Sequence, residues 1–158
     1  MSDTTPRTGK KNLTEMRRNA RSLALQALYQ WSVAGQSVTE IDAQFRVDND
    51  MSNTDTQLFS ELLRGVIGSS RDLDEAFRPF LDRPLDDLDP VELSVLRIGA
   101  YELKHRLQVP YRVAINESVE LAKIFGATES HKYINGILDK LAQRARADEI
   151  RARRNNNG

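Results

Sequence analysis

A chain of 158 residues with 39% hydrophobic content can bury one core of ordinary domain size, which makes a single domain the expectation. It has no cysteine, which excludes disulfides, thiolate metal sites and cysteine nucleophiles, and its two histidines, His105 and His131, show no HxxxH or HxxE spacing and read as surface or capping residues. The charges cancel, 23 basic against 23 acidic, but they are segregated: residues 1–36 carry a net +4, residues 37–92 a net −9 and residues 93–158 a net +5, so a fold that gathers its two ends can offer a basic face to one partner and an acidic face to another.

No apolar run approaches the roughly 20 residues that span a bilayer, and the polar start MSDTTPRTGKKN lacks the apolar core of a secretory signal. The reading is a cytoplasmic protein without a membrane partner. Apolar residues recur at three- and four-residue steps and no stretch sustains strand alternation, so the fold class is all-α.

A first helix is predicted from about Thr14 to Ala34, with Met16, Ala20, Leu23, Ala27, Leu28 and Trp31 on one stripe and Gly35 as its stop. A short second helix follows Thr39, which supplies a hydroxyl cap, and Ile41 and Phe45 supply its buried side. The third segment, 54–81, keeps Leu58, Leu62, Val66, Leu73 and Phe77 at helical spacing, but the GSS at 68–70 suggests two helices meeting at a bend. DPVE at 89–92 is the clearest start signal: Asp89 can cap, Pro90 suits the first helical position and Glu92 favours the dipole, so a helix runs from there to about Arg106. VPYRVAINESVELAKIF forms the next helix, stopped by Gly126, and TESHKYINGILDKLAQRARADEI the last. Residues 1–12 are expected to be a disordered basic leader, 13–147 one all-helical domain, and 148–158 a disordered basic tail.

The chemistry-bearing stretch is MRRNARSLALQALYQW at 16–31. On a helix Arg17, Arg18 and Arg21 share a strip about one turn long at the end where the dipole disfavours cations, and only Glu15 is near enough along the helix to pair with one of them. An unpaired cluster there is explained if its counter-charge is external, and the planar donors of arginine match phosphate oxygens. Lys10 and Lys11 would extend the field, and the plainer reading is a solvated helix face. Tyr29, Phe80, Tyr111 and Tyr133 stand beside polar or basic neighbours where a ring could stack on a base, although each could instead pack into the core with its polar edge wet.

The segments RRNARSLALQALYQW (17–31), LDPVELSVLRIGAYEL (88–103), VPYRVAINESVELAKIFG (109–126) and SHKYINGILDKL (130–141) resemble the bacterial transcription antitermination factor family NusB, in order and in spacing. The resemblance implies about seven helices in two small antiparallel bundles, no catalysis and no cofactor. It implies binding of the single-stranded boxA element of nascent RNA together with a small-subunit ribosomal protein acting as NusE. That complex would join other Nus factors on RNA polymerase and promote read-through, notably in ribosomal RNA operons. In some relatives the free protein occludes its arginine surface in a homodimer, and for this chain that stays open. Carried over by position, RNA-binding roles fall on Arg17, Arg18, Arg21, Tyr29, Phe80, Tyr111, Arg112, Lys132 and Tyr133, and partner-binding roles on Glu92, Leu96, Arg97 and Tyr101. Two departures stand out: Asn19 interrupts the arginine run, which would lower RNA affinity or shift it onto Lys10 and Lys11, and position 80 is a phenylalanine, which can stack but not donate. Related helical domains also precede methyltransferases that modify ribosomal RNA, yet no glycine-rich cofactor loop or Rossmann pattern is present here. The other rival is a scaffold that meets RNA only through its partner.

Overall fold

A computed structural model describes residues 10–157, and in that range the chain is all-helical, with eight α-helices, two short 3-10 turns and no strand. Residues 1–9, most of the expected leader, lie outside the described residues, as do the side chains of Lys10 and Lys11. Helix α1 spans Lys10–Ala34, starting earlier than predicted, and buries Ala20, Ala24, Leu25, Ala27 and Leu28. It stops where Gly35 adopts φ +69°, a left-handed conformation that costs glycine little, and the Gly35 N–H closes on the Trp31 carbonyl at 3.0 Å.

Helix α2 (Val38–Asp48) is capped by Ser37, whose hydroxyl accepts from the Glu40 N–H at 3.2 Å, two residues ahead of the expected Thr39. Ser37 and Glu40 have the spacing of a capping box. Asp55 caps α3 (Thr56–Gly68), and α4 (Ser70–Phe77) follows after the single residue Ser69, which is the expected bend. After 3-10 turns at Arg78–Phe80 and Leu85–Asp87, α5 (Pro90–His105) begins as predicted, with Asp89 accepting from the Val91 N–H at 2.7 Å. Helices α6 (Tyr111–Phe125) and α7 (Ser130–Ala145) follow.

The last predicted helix is in fact two. It breaks at Arg146, and the supposed tail forms α8 (Ala147–Asn157). The physical reason is a set of anchors that helical periodicity does not display: Ile150 is buried, Asp148 and Glu149 favour the new N-terminus, and the Glu149 carboxylate accepts from the Tyr111 N–H at 3.0 Å, an orphan donor at the start of α6.

Helix α5 organises the molecule, packing against α1, α3, α4, α6 and α7. Helices α1, α2 and α3 pack on one another, as do α5, α6 and α7, with α1 also touching α6. Gly99 permits the close approach on the α5 side, since a Cβ there would lie 2.6 Å from Leu138 Cδ1 and 2.9 Å from Ser118 Oγ. The arginine end of α1 is thereby laid across α5 and α6.

Candidate nucleic-acid interface

Packing against α5 and α6 gives the arginine strip partners that local spacing cannot supply. Arg18 Nε donates to Glu117 Oε1 at 2.9 Å and Oε2 at 3.3 Å, with the Arg18 side chain still 62% exposed. Arg21 is 4% exposed and forms a bidentate pair with the fully buried Glu102, Nε to Oε2 and Nη2 to Oε1 at 2.8 Å each, while its Nη1 lies 3.5 Å from Glu117. Burial pulls the Arg21 pKa down, but the hydrogen bonds and charge of Glu102, with Glu117 and Asp55, outweigh it and hold the guanidinium above its ordinary value. The expectation that Arg21 presents its charge to RNA is corrected here: its counter-charge is internal. Arg17 is exposed and has no ion-pair partner among the described residues. It lines a cleft of about 660 Å³ with Thr14, Arg21, Arg106, Pro110 and Glu117. Asn19 donates to the Asn53 carbonyl at 2.8 Å, so the residue that interrupts the run ties α1 to the loop before α3.

The aromatic candidates divide. Tyr29 is 42% exposed and opens onto a groove of about 490 Å³, shared with Leu25, Gln26, Val33, Phe45 and Phe125. Phe80 and Tyr133 are half-buried, and each has an arginine over its ring: Arg144 at 4.8 Å and Arg83 at 4.7 Å from the centroids. The Tyr133 hydroxyl accepts from the Asp82 N–H at 3.2 Å, and its pKa is raised, first by burial and then by the Asp82 carboxylate. Lys132 is exposed and paired with Glu129 at 2.6 Å. Tyr111 is only 7% exposed, with Arg112 and Arg153 guanidinium groups 5.8 and 5.9 Å from its centroid, so its ring is a core element and not an open stacking platform. Arg112 itself is exposed and donates to the Tyr111 hydroxyl at 3.2 Å.

These residues therefore form two patches: Arg17 and Arg18 beside the start of α6, and Phe80, Lys132 and Tyr133 along α7. The Tyr29 groove adjoins the second patch, because Val91 and Phe125 line the groove while Glu92, Ala127 and Tyr133 line the neighbouring cleft. Sequence reasoning missed Arg83, Arg144 and Glu117, whose roles arise only when distant segments meet.

On the expected partner face Leu96 is corrected: it is 0% exposed and belongs to the core. Arg97 pairs bidentately with Asp74 at 2.8 Å and lies 5.8 Å from the Trp31 centroid. Tyr101 donates to Glu61 Oε2 at 3.2 Å; its pKa is raised, chiefly by burial and then by Glu61. Leu93, half-buried, shares the helical stripe of Arg97 and Tyr101, whereas Glu92 turns toward the cleft that holds Arg83 and Tyr133. Among the described residues no cluster of His, Asp or Glu could hold a metal ion, and no helix is long and apolar enough to cross a membrane.

The sequence profile of the NusB family matches residues 18–143. A transcription antitermination protein NusB from Marinomonas sp. is 60% identical over 150 residues, covering 94% of this chain and 86% of the relative, and one from Pseudomonas entomophila is 58% identical over 144 residues, covering 91% and 87%. Among solved structures, T. maritima NusB matches with a TM-score of 0.72 at 28% identity, over 80% of this chain and 90% of that one. A NusB solved with NusE and dsRNA shares the fold at a TM-score of 0.73 and 22% identity, over 85% and 98%. With a profile covering most of its length and relatives this near, the chain belongs to the NusB family.

Proposed function

We propose that this protein is a transcription antitermination factor that binds single-stranded boxA RNA of nascent transcripts together with the small-subunit ribosomal protein NusE, and so promotes read-through by RNA polymerase with other Nus factors, notably in ribosomal RNA operons. The observation that carries the reading is the exposed Arg17 and Arg18 pair, with Phe80, Lys132 and Tyr133 gathered in a second patch. Arginine supplies salt-dependent grip on phosphates, and half-exposed rings supply base stacking. Arg112 adds an exposed cation at the start of α6, and Tyr29 offers the most accessible ring. Glu92, Arg97 and Tyr101 form the proposed NusE-facing side, and the acidic 37–92 segment that ends at Glu92 suits a basic partner. The helices α1–α3 and α5–α7 are read as the two small antiparallel bundles of the family. The reading is cytoplasmic and involves no catalysis.

The solved relative that holds dsRNA favours a second reading, duplex recognition by the same basic surface. Fluorescence anisotropy with a boxA RNA, a scrambled strand and a duplex, with and without NusE and across a salt range, separates the two. Tighter and more selective binding of the single strand with NusE, with a log-log salt slope of roughly −2 to −3.5 for three to five phosphate contacts, is expected. Equal binding of boxA and scrambled strands with or without NusE overturns it, and preference for the duplex moves the assignment to the second reading.

A further inference from the structure

The Glu117 carboxylate is shared between a buried and an exposed arginine. Arg21, fixed by two hydrogen bonds to buried Glu102, holds it from the core, and Arg18 reaches it from a side chain that is mostly in solvent. The result is a relay, Glu102 to Arg21 to Glu117 to Arg18, that runs from α5 through α1 and α6 to the surface. A long exposed arginine ordinarily samples many rotamers, and immobilising it costs a ligand part of its binding free energy. Here the tie is made through Nε. The terminal Nη1 and Nη2 groups remain for an outside acceptor, in the planar fork that matches two phosphate oxygens.

We infer that Glu117 is a positioning residue for RNA recognition: it presents the terminal nitrogens of Arg18 to a phosphate of the bound strand, so a negatively charged side chain strengthens the binding of a polyanion. The inference rests on the reading of Arg18 as a phosphate contact. Its sign makes it testable, because bare electrostatics predicts the opposite: an acid near a phosphate repels it, and removing the acid should tighten binding.

The test is anisotropy with a fluorescent boxA single strand, alone and with NusE, on wild type, R18A, E117A, E117Q and the R18A/E117A double variant, each checked for helical content. Expected are a loss of about threefold to tenfold in E117A, the order set by freezing one long side chain, near-retention in E117Q, whose amide oxygen still accepts from Arg18 Nε, and a double variant no weaker than R18A alone. A merely structural role would not spare E117Q or vanish in the R18A background. Binding in E117A as tight as wild type or tighter, with R18A weakened, overturns the proposal and makes Glu117 a competitor of the phosphate. An R18A variant that binds normally instead removes the phosphate-contact reading itself, and the proposal with it. Should E117A not fold, the Arg18 Nε–H resonance of the wild type decides: a hydrogen-bonded signal kept at saturating RNA supports the proposal, and its loss overturns it.

Discussion

Replacing Arg21 with methionine separates a structural pillar from an RNA contact. The substitution keeps a long apolar stem but leaves the Glu102 carboxylate, 0% exposed, without its two 2.8 Å hydrogen bonds. Among the described residues Arg106 Nε, 3.7 Å away, still faces that charge. Breaking a buried ion pair by removing one partner costs about 3–5 kcal/mol, and the residual Arg106 contact places the expected loss near 3. With about 2–4 °C per kcal/mol for a chain of this size, Tm should fall by roughly 6–12 °C. The double variant Arg21→Met with Glu102→Met should recover most of this, because replacing both charges by apolar groups leaves neither desolvated alone. Urea denaturation followed by circular dichroism at 222 nm measures both. If Arg21→Met unfolds at the wild-type urea midpoint yet binds RNA as weakly as Arg18→Ala, then Arg21 works at the surface and the account of its burial is wrong.

Two glycines should respond in opposite directions to alanine. At Gly136 in α7 a Cβ meets nothing within 4 Å, so Gly136→Ala should stabilise by about 0.5–1 kcal/mol through helix propensity. At Gly65 the Cβ would lie 2.5–2.6 Å from the Tyr101 ring and hydroxyl, so Gly65→Ala should lose about 1–3 kcal/mol despite the same propensity gain; denaturation midpoints check both. The Asp42 pKa is lowered: burial raises it, but hydrogen bonds from Arg46, Ser60 and Arg64 outweigh that. A depressed folded pKa means a stabilisation that is complete above the ordinary aspartate value of about 3.9 and is lost as pH falls through the folded value. Acid titration of urea midpoints should therefore be flatter in Asp42→Asn than in wild type below about pH 4. Tyr133→Ala should weaken RNA binding by roughly 1–3 kcal/mol if a base stacks there, and unchanged anisotropy would leave Tyr133 as a brace for the 3-10 connection through Asp82.

The helices legible in the sequence were those with local punctuation. Asp89 and Pro90 start α5, Gly35 stops α1, and GSS at 68–70 divides α3 from α4, because caps and breakers act within a few residues. What stayed hidden depended on distant partners. Arg18 and Arg21 looked unpaired because Glu117 and Glu102 lie 99 and 81 positions away. The resemblance puts Leu96 on the partner face, yet α5 is covered by five other helices and keeps little surface. Residues 148–157 carry few apolar side chains and look solvated, while a single buried Ile150 and two acids suffice to hold them as α8. Of the positions carried over from the resemblance, Lys132 and Arg112 are exposed and Tyr111 is not, its ring packed at the N-terminus of α6 that Glu149 closes.

The end of α5 shows that the limit of family likeness and the limit of a folded unit need not coincide. The Arg146 side chain, 4% exposed at the junction of α7 and α8, donates to the carbonyls of Leu103 at 2.7 Å, Glu102 at 3.1 Å and Arg106 at 3.0 Å. Helix C-termini leave carbonyls without intrahelical donors, and Leu103 is one that this guanidinium answers, while at Glu102 and Arg106 it joins the Arg106 and Val109 N–H groups as a second donor. The family match stops at residue 143, three positions short of that arginine. A protein trimmed at residue 143 would keep α2 to α6 whole and lose the keystone that closes α5, along with the acid that caps α6. Arg146 and Glu149, both beyond the end of the family match, thus hold shut the two helices on which the arginine surface is laid.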